Sequence, residues 1–346
     1  MGFCRSVDLP TEKIALEIKI LWMEHTLSLI RNLAKTPLFT SIDRLEDELV
    51  ARSDVVHANK QSPERFEIIR ENLKRSSGGP PGKLLPVMLP TMYGIQKSLR
   101  SIVDNPTNPK QEGSAELFKK IESYALKLGA SSVGYTKVPA RWVFQEKAIV
   151  FENAIMLSME MDKARIDTAP SIPCQKTVME TYRDLGKITN RIAAWLRKQG
   201  YGAQAGHPLM GQALYPPLAQ MAGLGWMGLN GIIITPEHGP RVRLAAVYTS
   251  IENLPFNDQN KHAWVVDYCN QCKICIRKCP PGALYGVPMD HGNGQITYVE
   301  NRLCFPYFSD YYGCSVCVKV CPFNHVPYEK LKTAFMAKIP SATNHS

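Results

Sequence analysis

The chain has 346 residues, of which 45% are hydrophobic and 21% are charged, and its formal net charge is +10. This composition is that of a globular protein and excludes a disordered or fibrous one, and the length predicts two or three compact units. The basic residues are spread along the chain without aromatic interleaving. The positive charge therefore predicts a solvated surface rather than a DNA-binding platform.

The first 111 residues predict a mostly helical region. Apolar residues recur at helical spacing between Ile14 and Leu33, a second helical segment is expected between Arg44 and Lys74, and the Gly/Pro-rich residues 76–82 predict a linker or loop. We interpret the region either as a lid or substrate wall or as a helical packing unit. The 14–33 stretch contains too many charged residues to span a bilayer, and the N-terminus shows no export signal, so we expect a cytoplasmic protein.

Residues 112–258 predict a layered domain of mixed helices and strands. Ser114 is a good N-cap for a helix that ends before Gly129, and a longer helix is expected from Gln175 to Gln199. Short apolar runs at 132–135, 153–159 and 244–248 predict buried strands. Alternation of such elements predicts an α/β (α+β) fold.

Residues 259–330 hold eight of the ten cysteines, and residues 331–346 are expected to form a tail. The cysteines fall in two runs, each of which ends in Cys-Pro. The first run contains Cys269, Cys272, Cys275 and Cys279, and the second contains Cys304, Cys314, Cys317 and Cys321. Gaps of two and three residues let a short loop bring several soft thiolates to iron.

Each run resembles half of a two-cluster ferredoxin, in which three thiolates bind one [4Fe–4S] cube and the fourth crosses to the other. The resemblance implies two ligand sets, which are Cys269, Cys272, Cys275 and Cys321 for one cluster, and Cys304, Cys314, Cys317 and Cys279 for the other. Zinc knuckles and a disulfide scaffold are the weaker alternatives. The second run is irregular at its first ligand. The spacing of the first run would put this cysteine at position 311, which is Tyr311, and the chain has Cys304 instead.

A glycine-rich block precedes the cysteines. Glycines at such a density let the backbone approach a large flat or anionic group, although a structural turn explains them equally well. A dinucleotide fingerprint is not indicated, since no strand precedes the block and no helix opens after it. The candidate cofactor-binding residues are Gly223, Gly225, Trp226, Gly228, Asn230 and Gly231.

Residues 215–231, continued by the block from Thr235 to Leu244, resemble the cobalamin-dependent reductive dehalogenases, and the Gly-Leu-Gly-Trp core also resembles the related epoxyqueuosine reductases. Both families place this block before a two-cluster ferredoxin-like module. The resemblance implies a nitroreductase-like domain that binds base-off cobalamin, two [4Fe–4S] clusters, and electron transfer from the clusters to cobalt. It covers residues 112–328, and residues 1–111 match no block of these families.

The resemblance also implies a proton donor. Tyr182 matches the place of the dehalogenase tyrosine, whereas Asp184 is a weak counterpart of the aspartate used by epoxyqueuosine reductases. The basic partner of the donor maps to Arg241 or Arg243, and the sequence does not decide between them. His207, His238 and His291 are interpreted as polar loop residues, and Cys174 as a packing thiol.

Three functions follow from these patterns. The preferred one is a corrinoid iron–sulfur oxidoreductase of the dehalogenase type, which takes electrons from an external donor such as ferredoxin or flavodoxin and removes halide from a small organic substrate. The second is an epoxyqueuosine-reductase-like enzyme acting on tRNA. The third is a non-enzymatic electron-transfer or corrinoid-handling protein.

Overall fold

A computed structural model describes residues 37–63, 85–257, 259–292 and 294–338. In chain order the helices and strands up to the long central helix are α1 (Pro37–Val50), β1 (Val56–His57), α2 (Leu85–Arg100), α3 (Ala115–Lys127), β2 (Ser132–Lys137), β3 (Ala148–Ile149), β4 (Asn153–Glu160), α4 (Lys163–Ile166) and α5 (Ile172–Lys198). The rest of the domain contains β5 (Ala203–Gly206), α6 (Tyr215–Met221), β6 (Trp226–Met227), β7 (Ile233–Ile234) and β8 (Val242–Thr249).

The cysteine-rich part follows residues 250–263, whose described residues form neither helix nor strand. Its elements are α7 (Trp264–Cys272), α8 (Ile274–Arg277), β9 (Leu284–Asp290), β10 (Ile296–Val299), α9 (Asn301–Asp310), α10 (Val316–Lys319), α11 (Pro322–His325) and α12 (Tyr328–Met336). Helix α12 continues into the segment expected to be a tail, because Phe335 is buried against the cysteine-rich core.

The domain core is a four-stranded antiparallel sheet in the order β2-β4-β8-β5. Alternate residues of β4 point to opposite faces, as the two-residue period of a strand requires. Ile155 and Leu157 pack with α3 and α5 on one face, whereas Ala154 and Met156 pack with α6 on the other. The antiparallel pairing agrees with the α+β form of the predicted mixed fold.

The two predicted helices of this domain are present. The Ser114 hydroxyl accepts a hydrogen bond from the backbone of Leu117 at 3.2 Å, and Gly129 follows the helix with φ +105°. Helix α5 begins three residues earlier than predicted, because the Ser171 hydroxyl accepts a hydrogen bond from Cys174 N and Pro173 occupies its first turn.

The described part of the N-terminal region packs against this core. Helix α2 lies on α5, and α1 lies on α2. The pair buries Ile42, Leu49, Met92 and Ile95 in a hydrophobic cluster of its own. Turns and the short strand β1 occupy residues 51–63, so the helix expected between Arg44 and Lys74 is wrong for that part; residues 64–74, the 76–82 linker and the 14–33 helix lie outside the described residues.

Candidate electron-transfer and corrinoid site

The two cysteine runs fold into the same loop twice. Cys272 is followed by Lys273 with φ +50°, and Cys314 is followed by Ser315 with φ +65°. A single turn of helix then carries the next cysteine of each run, on α8 in the first and on α10 in the second. Backbone in which right-handed and left-handed residues alternate points successive N–H groups into a concavity, which is a known cradle for iron–sulfur sites. The repeated spacing therefore produces a repeated cradle.

The thiols gather in two groups. Burial raises the pKa of Cys321 well above its ordinary value, and the neighbouring Cys269, Cys275 and Cys272 raise it further. Burial likewise raises the pKa of Cys304 to about 11, with additions from Cys279 and Cys314. Burial also raises the pKa of Cys317 to about 12, with additions from Cys314, Cys304, Cys275 and Cys279. With Cys317 included, each group contains three cysteines of one run and one of the other. This is the crossed arrangement expected of two cubes.

The chemistry of the donor set fits two [4Fe–4S] clusters. The donors are eight thiols in two runs, and each run can supply three thiolates to one cube and the fourth to the other, as in two-cluster ferredoxins. In the ranges that the structure describes, no three His, Cys, Asp or Glu side chains come together as they would around one metal ion.

Backbone amides point at the sulfurs. The N–H of Leu229 donates to Cys269, and the N–H of Ala283 donates to the Sγ of Cys279 at 3.3 Å. Such hydrogen bonds stabilise a thiolate and help set the reduction potential of a cluster. Leu229 belongs to the glycine-rich block, so this block lies against the first group of cysteines.

The glycine-rich block forms the β6–β7 hairpin. A Cβ atom on Gly225 would lie 2.1 Å from the carbonyl oxygen of Ile234, and one on Gly223, whose φ is +74°, would lie 2.0 Å from Asn257 Nδ2. These contacts explain both glycines by packing. Asn230 is buried, and its Nδ2 lies 3.5 Å from the carbonyl oxygen of Cys317. The hairpin therefore bridges both cysteine groups.

The remaining candidates of the block have different neighbours. A Cβ on Gly228 would meet Ile234 Cδ1 at 2.8 Å, and one on Gly231 would meet Tyr298 Cβ at 3.1 Å. Trp226 lines a cavity of about 520 Å³ together with Lys137, Gln220 and six further residues. Trp226 is the only predicted cofactor-binding residue in the lining of that cavity.

Tyr182 and Arg243 form a pair at the other end of the sheet. The guanidinium carbon of Arg243 lies 4.7 Å from the centre of the Tyr182 ring. Tyr182 is half-buried, and within the described residues the buried Nε of Arg243 has no hydrogen-bond partner. Cys174 lies two turns before Tyr182 on α5 and packs in one cluster with Cys317, and Arg243 and Cys314 both influence the pKa of its thiol. The pair therefore lies beside the second cysteine group.

Arg241 has a different environment. Its Nη1 donates to Asn324 Oδ1 at 2.9 Å, and its Nη2 donates to Glu160 Oε1 at 2.9 Å. The Nδ2 of Asn324 donates in turn to Asp167 Oδ1 at 2.7 Å. Asn324 follows Cys321 by three residues, so Arg241 ties the last cysteine loop to the sheet. Among the described contacts, Arg243 and not Arg241 reaches the Tyr182 ring, which makes Arg243 the candidate partner of the tyrosine.

Asp184 is bound by two cations. Burial acts to raise its pKa, but hydrogen bonds from Arg183 at 2.6 Å and from Lys187 at 3.0 Å outweigh burial and lower the pKa below its ordinary value. A carboxyl group held in this way is ionised at neutral pH and cannot give up a proton. The aspartate alternative to Tyr182 is therefore poorly placed for acid catalysis.

Sequence reasoning did not foresee several contacts of the site. It offered no signal for Asn324 or Glu160, because their roles depend on contacts between distant segments. His207 was interpreted as a polar loop residue and is instead fully buried, which lowers its pKa to about 4. A Cβ on Gly186 would lie 2.1 Å from its Nε2, so this ring packs between helices as a neutral group.

The comparisons with known proteins agree with this geometry. Residues 268–325 match the model of a 4Fe-4S dicluster domain, which makes this part of the chain an iron–sulfur module. The particular relatives are reductive dehalogenases. The tetrachloroethene reductive dehalogenase of Desulfitobacterium hafniense is 33% identical over 215 residues, which is 57% of this chain and 37% of the relative.

Other relatives point to the same two groups of enzymes. The tetrachloroethene reductive dehalogenase of Sulfurospirillum multivorans is 27% identical over 62% of this chain and 52% of its own length. The epoxyqueuosine reductase of Francisella cf. novicida (strain Fx1) is 32% identical over 32% of each chain. The chain thus spans about half or less of the length of these curated relatives.

The fold has a counterpart among solved structures. The catabolic reductive dehalogenase NpRdhA, in complex with 3-bromo-4-hydroxybenzoic acid, matches with a TM-score of 0.62 over 84% of this chain and 45% of its own, at 20% identity. The resemblance expected from the sequence is therefore confirmed, as is the mixed fold with a ferredoxin-like part. The dehalogenase family depends on cobalamin and iron–sulfur clusters, so the predicted cofactor set agrees with the homology.

Proposed function

We propose that the chain is the catalytic part of a corrinoid iron–sulfur reductase that removes halide from a small organic molecule. The overall reaction consumes two electrons and one proton, breaks a carbon–halogen bond, forms a carbon–hydrogen bond and releases a halide ion. The observation that carries the proposal is the Tyr182–Arg243 pair, in which the buried Nε of Arg243 has no described partner, with Tyr182 on the helix whose Cys174 packs with Cys317 of the second cysteine group.

The chain's own residues have separate roles in this reaction. The two cysteine groups hold one [4Fe–4S] cluster each and pass single electrons towards α5. Tyr182 delivers the proton, and the cation of Arg243 over its ring stabilises the phenolate that remains. Arg241 acts by positioning, because it holds the Cys321 loop on the sheet.

The residues fit a corrinoid through the buried Nε of Arg243, which has no described partner, and through the position of the pair beside the second cysteine group. Bound cobalamin would supply the low-valent cobalt that cleaves the carbon–halogen bond. We assign its binding to the hairpin residues Gly223, Gly225, Trp226, Gly228, Asn230 and Gly231. The backbone of this hairpin is held in place by packing, so it can offer a fixed surface.

The test replaces the proposed acid. Tyr182→Phe should keep iron, sulfide and bound corrinoid, because it removes one oxygen and leaves the ring to pack. Halide release driven by a small reductant should fall roughly 10²- to 10⁴-fold, as is typical when a positioned acid is lost. Arg243→Gln should imitate the loss, whereas Tyr124→Phe, at a half-buried tyrosine that packs on Trp195, is the matched control.

The alternative function is a reductase of the epoxyqueuosine kind, favoured by the similarity to that family. It predicts turnover that depends on modified tRNA and is lost in Asp184→Asn. Full halide release by Tyr182→Phe together with inactivity of Asp184→Asn would replace the dehalogenase proposal with this one. The absence of both halide release and tRNA-dependent turnover would favour the electron-carrier alternative.

A further inference from the structure

The first cysteine loop carries unpaired positive charge. Between Tyr268 and Gly282 the sequence contains Lys273, Arg277 and Lys278 and no acidic residue. Arg277 and Lys278 are exposed, and Lys273 is half-buried. In the part of the chain that the structure describes, none of the three cations forms a salt bridge, so their charge is available to a partner.

These cations lie over the outer end of the cluster pair. Lys273 follows Cys272 and lines the recess of the first cysteine group, together with Tyr268 and Phe323. The second group lies nearer the layer domain, because its Cys317 and the adjoining Val318 pack in one cluster with Cys174 of α5. An electron arriving from outside at this loop therefore meets the first group before the second.

An exposed apolar surface adjoins the cations. Helix α8, which ends at Arg277, packs against strand β9. Val287 and Met289 of that strand are 80% and 47% exposed, and their two-residue separation puts them on one face of the strand. Apolar residues with charged groups beside them are the usual composition of a small protein–protein interface.

We propose that Lys273, Arg277, Lys278, Val287 and Met289 form an entry face on which an acidic, low-potential electron-transfer protein docks. The proposal rests on the proposed function, in which the clusters must be refilled after each turnover. In each encounter one electron leaves the donor and one cluster passes from the 2+ to the 1+ state, without a change in covalent bonds. Opposite charges would steer the encounter and raise its rate at low salt.

The test measures cluster reduction without any substrate. Cluster-loaded protein is mixed anaerobically, in separate experiments, with reduced ferredoxin and with flavodoxin hydroquinone, and the loss of iron–sulfur absorbance is followed by stopped flow. We compare the parent with the triple variant Lys273→Glu, Arg277→Glu, Lys278→Glu, using the donor that reduces the parent faster. At low salt the variant should be reduced roughly 10- to 100-fold more slowly than the parent, and its rate should depend much less on salt.

The matched control reverses three exposed lysines on the layer domain, Lys119, Lys127 and Lys198, and should be reduced at the parent rate. Reduced methyl viologen needs no docking face, so the rate with each protein donor is divided by the viologen rate of the same protein, and viologen-driven halide release tests the proposed function separately. Equal reduction of the entry-face variant and its parent by both donors would overturn the proposal. So would failure of both donors to reduce a parent protein that viologen reduces.

Discussion

The two cysteine runs have the same loop conformation, but the helices that carry their leading cysteines, here called the supports, are packed differently. In the first run the leading cysteine, Cys269, comes from α7, whose buried Trp264 packs against Phe323, Tyr328 and Phe335. In the second run it comes from α9, a helix that follows the β9–β10 hairpin and in which Leu303 and Phe308 remain exposed.

This difference shows which part of the repeat the chemistry requires. The left-handed residue, the one-turn helix and the final Cys-Pro occur in both runs, because they build the concavity around the sulfurs. The leading ligand needs only to reach the same place. The sequence can therefore replace the regular position, Tyr311, with a cysteine seven residues earlier, and the intervening residues can form a different surface.

The largest expected effect is on cluster content. The parent protein should contain about eight irons and eight sulfides, from two four-cysteine groups. Cys304→Ala should give a three-iron signal or lose one cluster, whereas Cys269→Ala should lose the first cluster and weaken the core around α7. Iron analysis and electron spin resonance measure both. A Cys304→Ala protein identical to the parent would show that the long-loop ligand is misassigned.

A second effect concerns the supports themselves. Trp264→Ala should lower the free energy of unfolding by about 3–5 kcal/mol, because it leaves a cavity among four aromatic rings. Phe308→Ala, on the exposed support, should cost less than about 1 kcal/mol. Denaturant unfolding of the cluster-loaded proteins measures the difference. Equal costs would mean that both supports are equally packed.

The shared backbone predicts a smaller effect of equal size in both runs. Lys273→Val and Ser315→Val should each destabilise by about 1–2 kcal/mol, since a β-branched residue is disfavoured at positive φ. The glycine variants at the same positions should stay within about 0.5 kcal/mol of the parent, because glycine populates this conformation freely. A valine penalty in only one run would show that the loops are not equivalent.

The smallest expected effect tests the irregular position. Tyr311 is 47% exposed and stacks on Tyr307, with their ring centres 4.1 Å apart. Tyr311→Ala should therefore cost about 0.5–1.5 kcal/mol and leave both clusters in place. In a Cys304→Ala background, Tyr311→Cys should not restore the second cluster, because the side chain at 311 faces solvent. Recovery of full iron content in that double variant would contradict this placement.

The sequence predicted the parts of the fold that local rules determine. Ser114, Gly129 and Gly200 marked helix ends correctly, and the apolar runs marked β2, β4 and β8. Helix α2 was missed because Pro90 lies inside it and an internal proline normally breaks a helix, and here packing on α5 outweighs that penalty. Strand β5 was missed because Ala203–Gly206 contains no residue of high strand propensity, and its pairing with β8 determines it.

The site, like the fold, was predictable only where local sequence rules determine it. Cysteine spacing indicated both ligand groups, because the chemistry of a cube restricts the loop locally. The sequence could not decide between Arg241 and Arg243. The two residues lie two positions apart on one strand, so they differ only in their contacts with segments that are distant in sequence. Glu160 and Asn324 engage the first, and Tyr182 stacks under the second.

The contacts of Arg241 also limit whether the cysteine-rich part of the chain could be replaced by the iron–sulfur module of another protein. Its guanidinium joins Glu160 of the sheet to Asn324 of the cysteine-rich part, and Lys319 donates to the carbonyl oxygen of Ala169 at 2.9 Å beside it. A transplanted iron–sulfur module that lacked the Asn324 side chain would leave a buried cation without its amide partner. The module is therefore not an independent cassette, and a working chimera must carry both sides of this polar joint together.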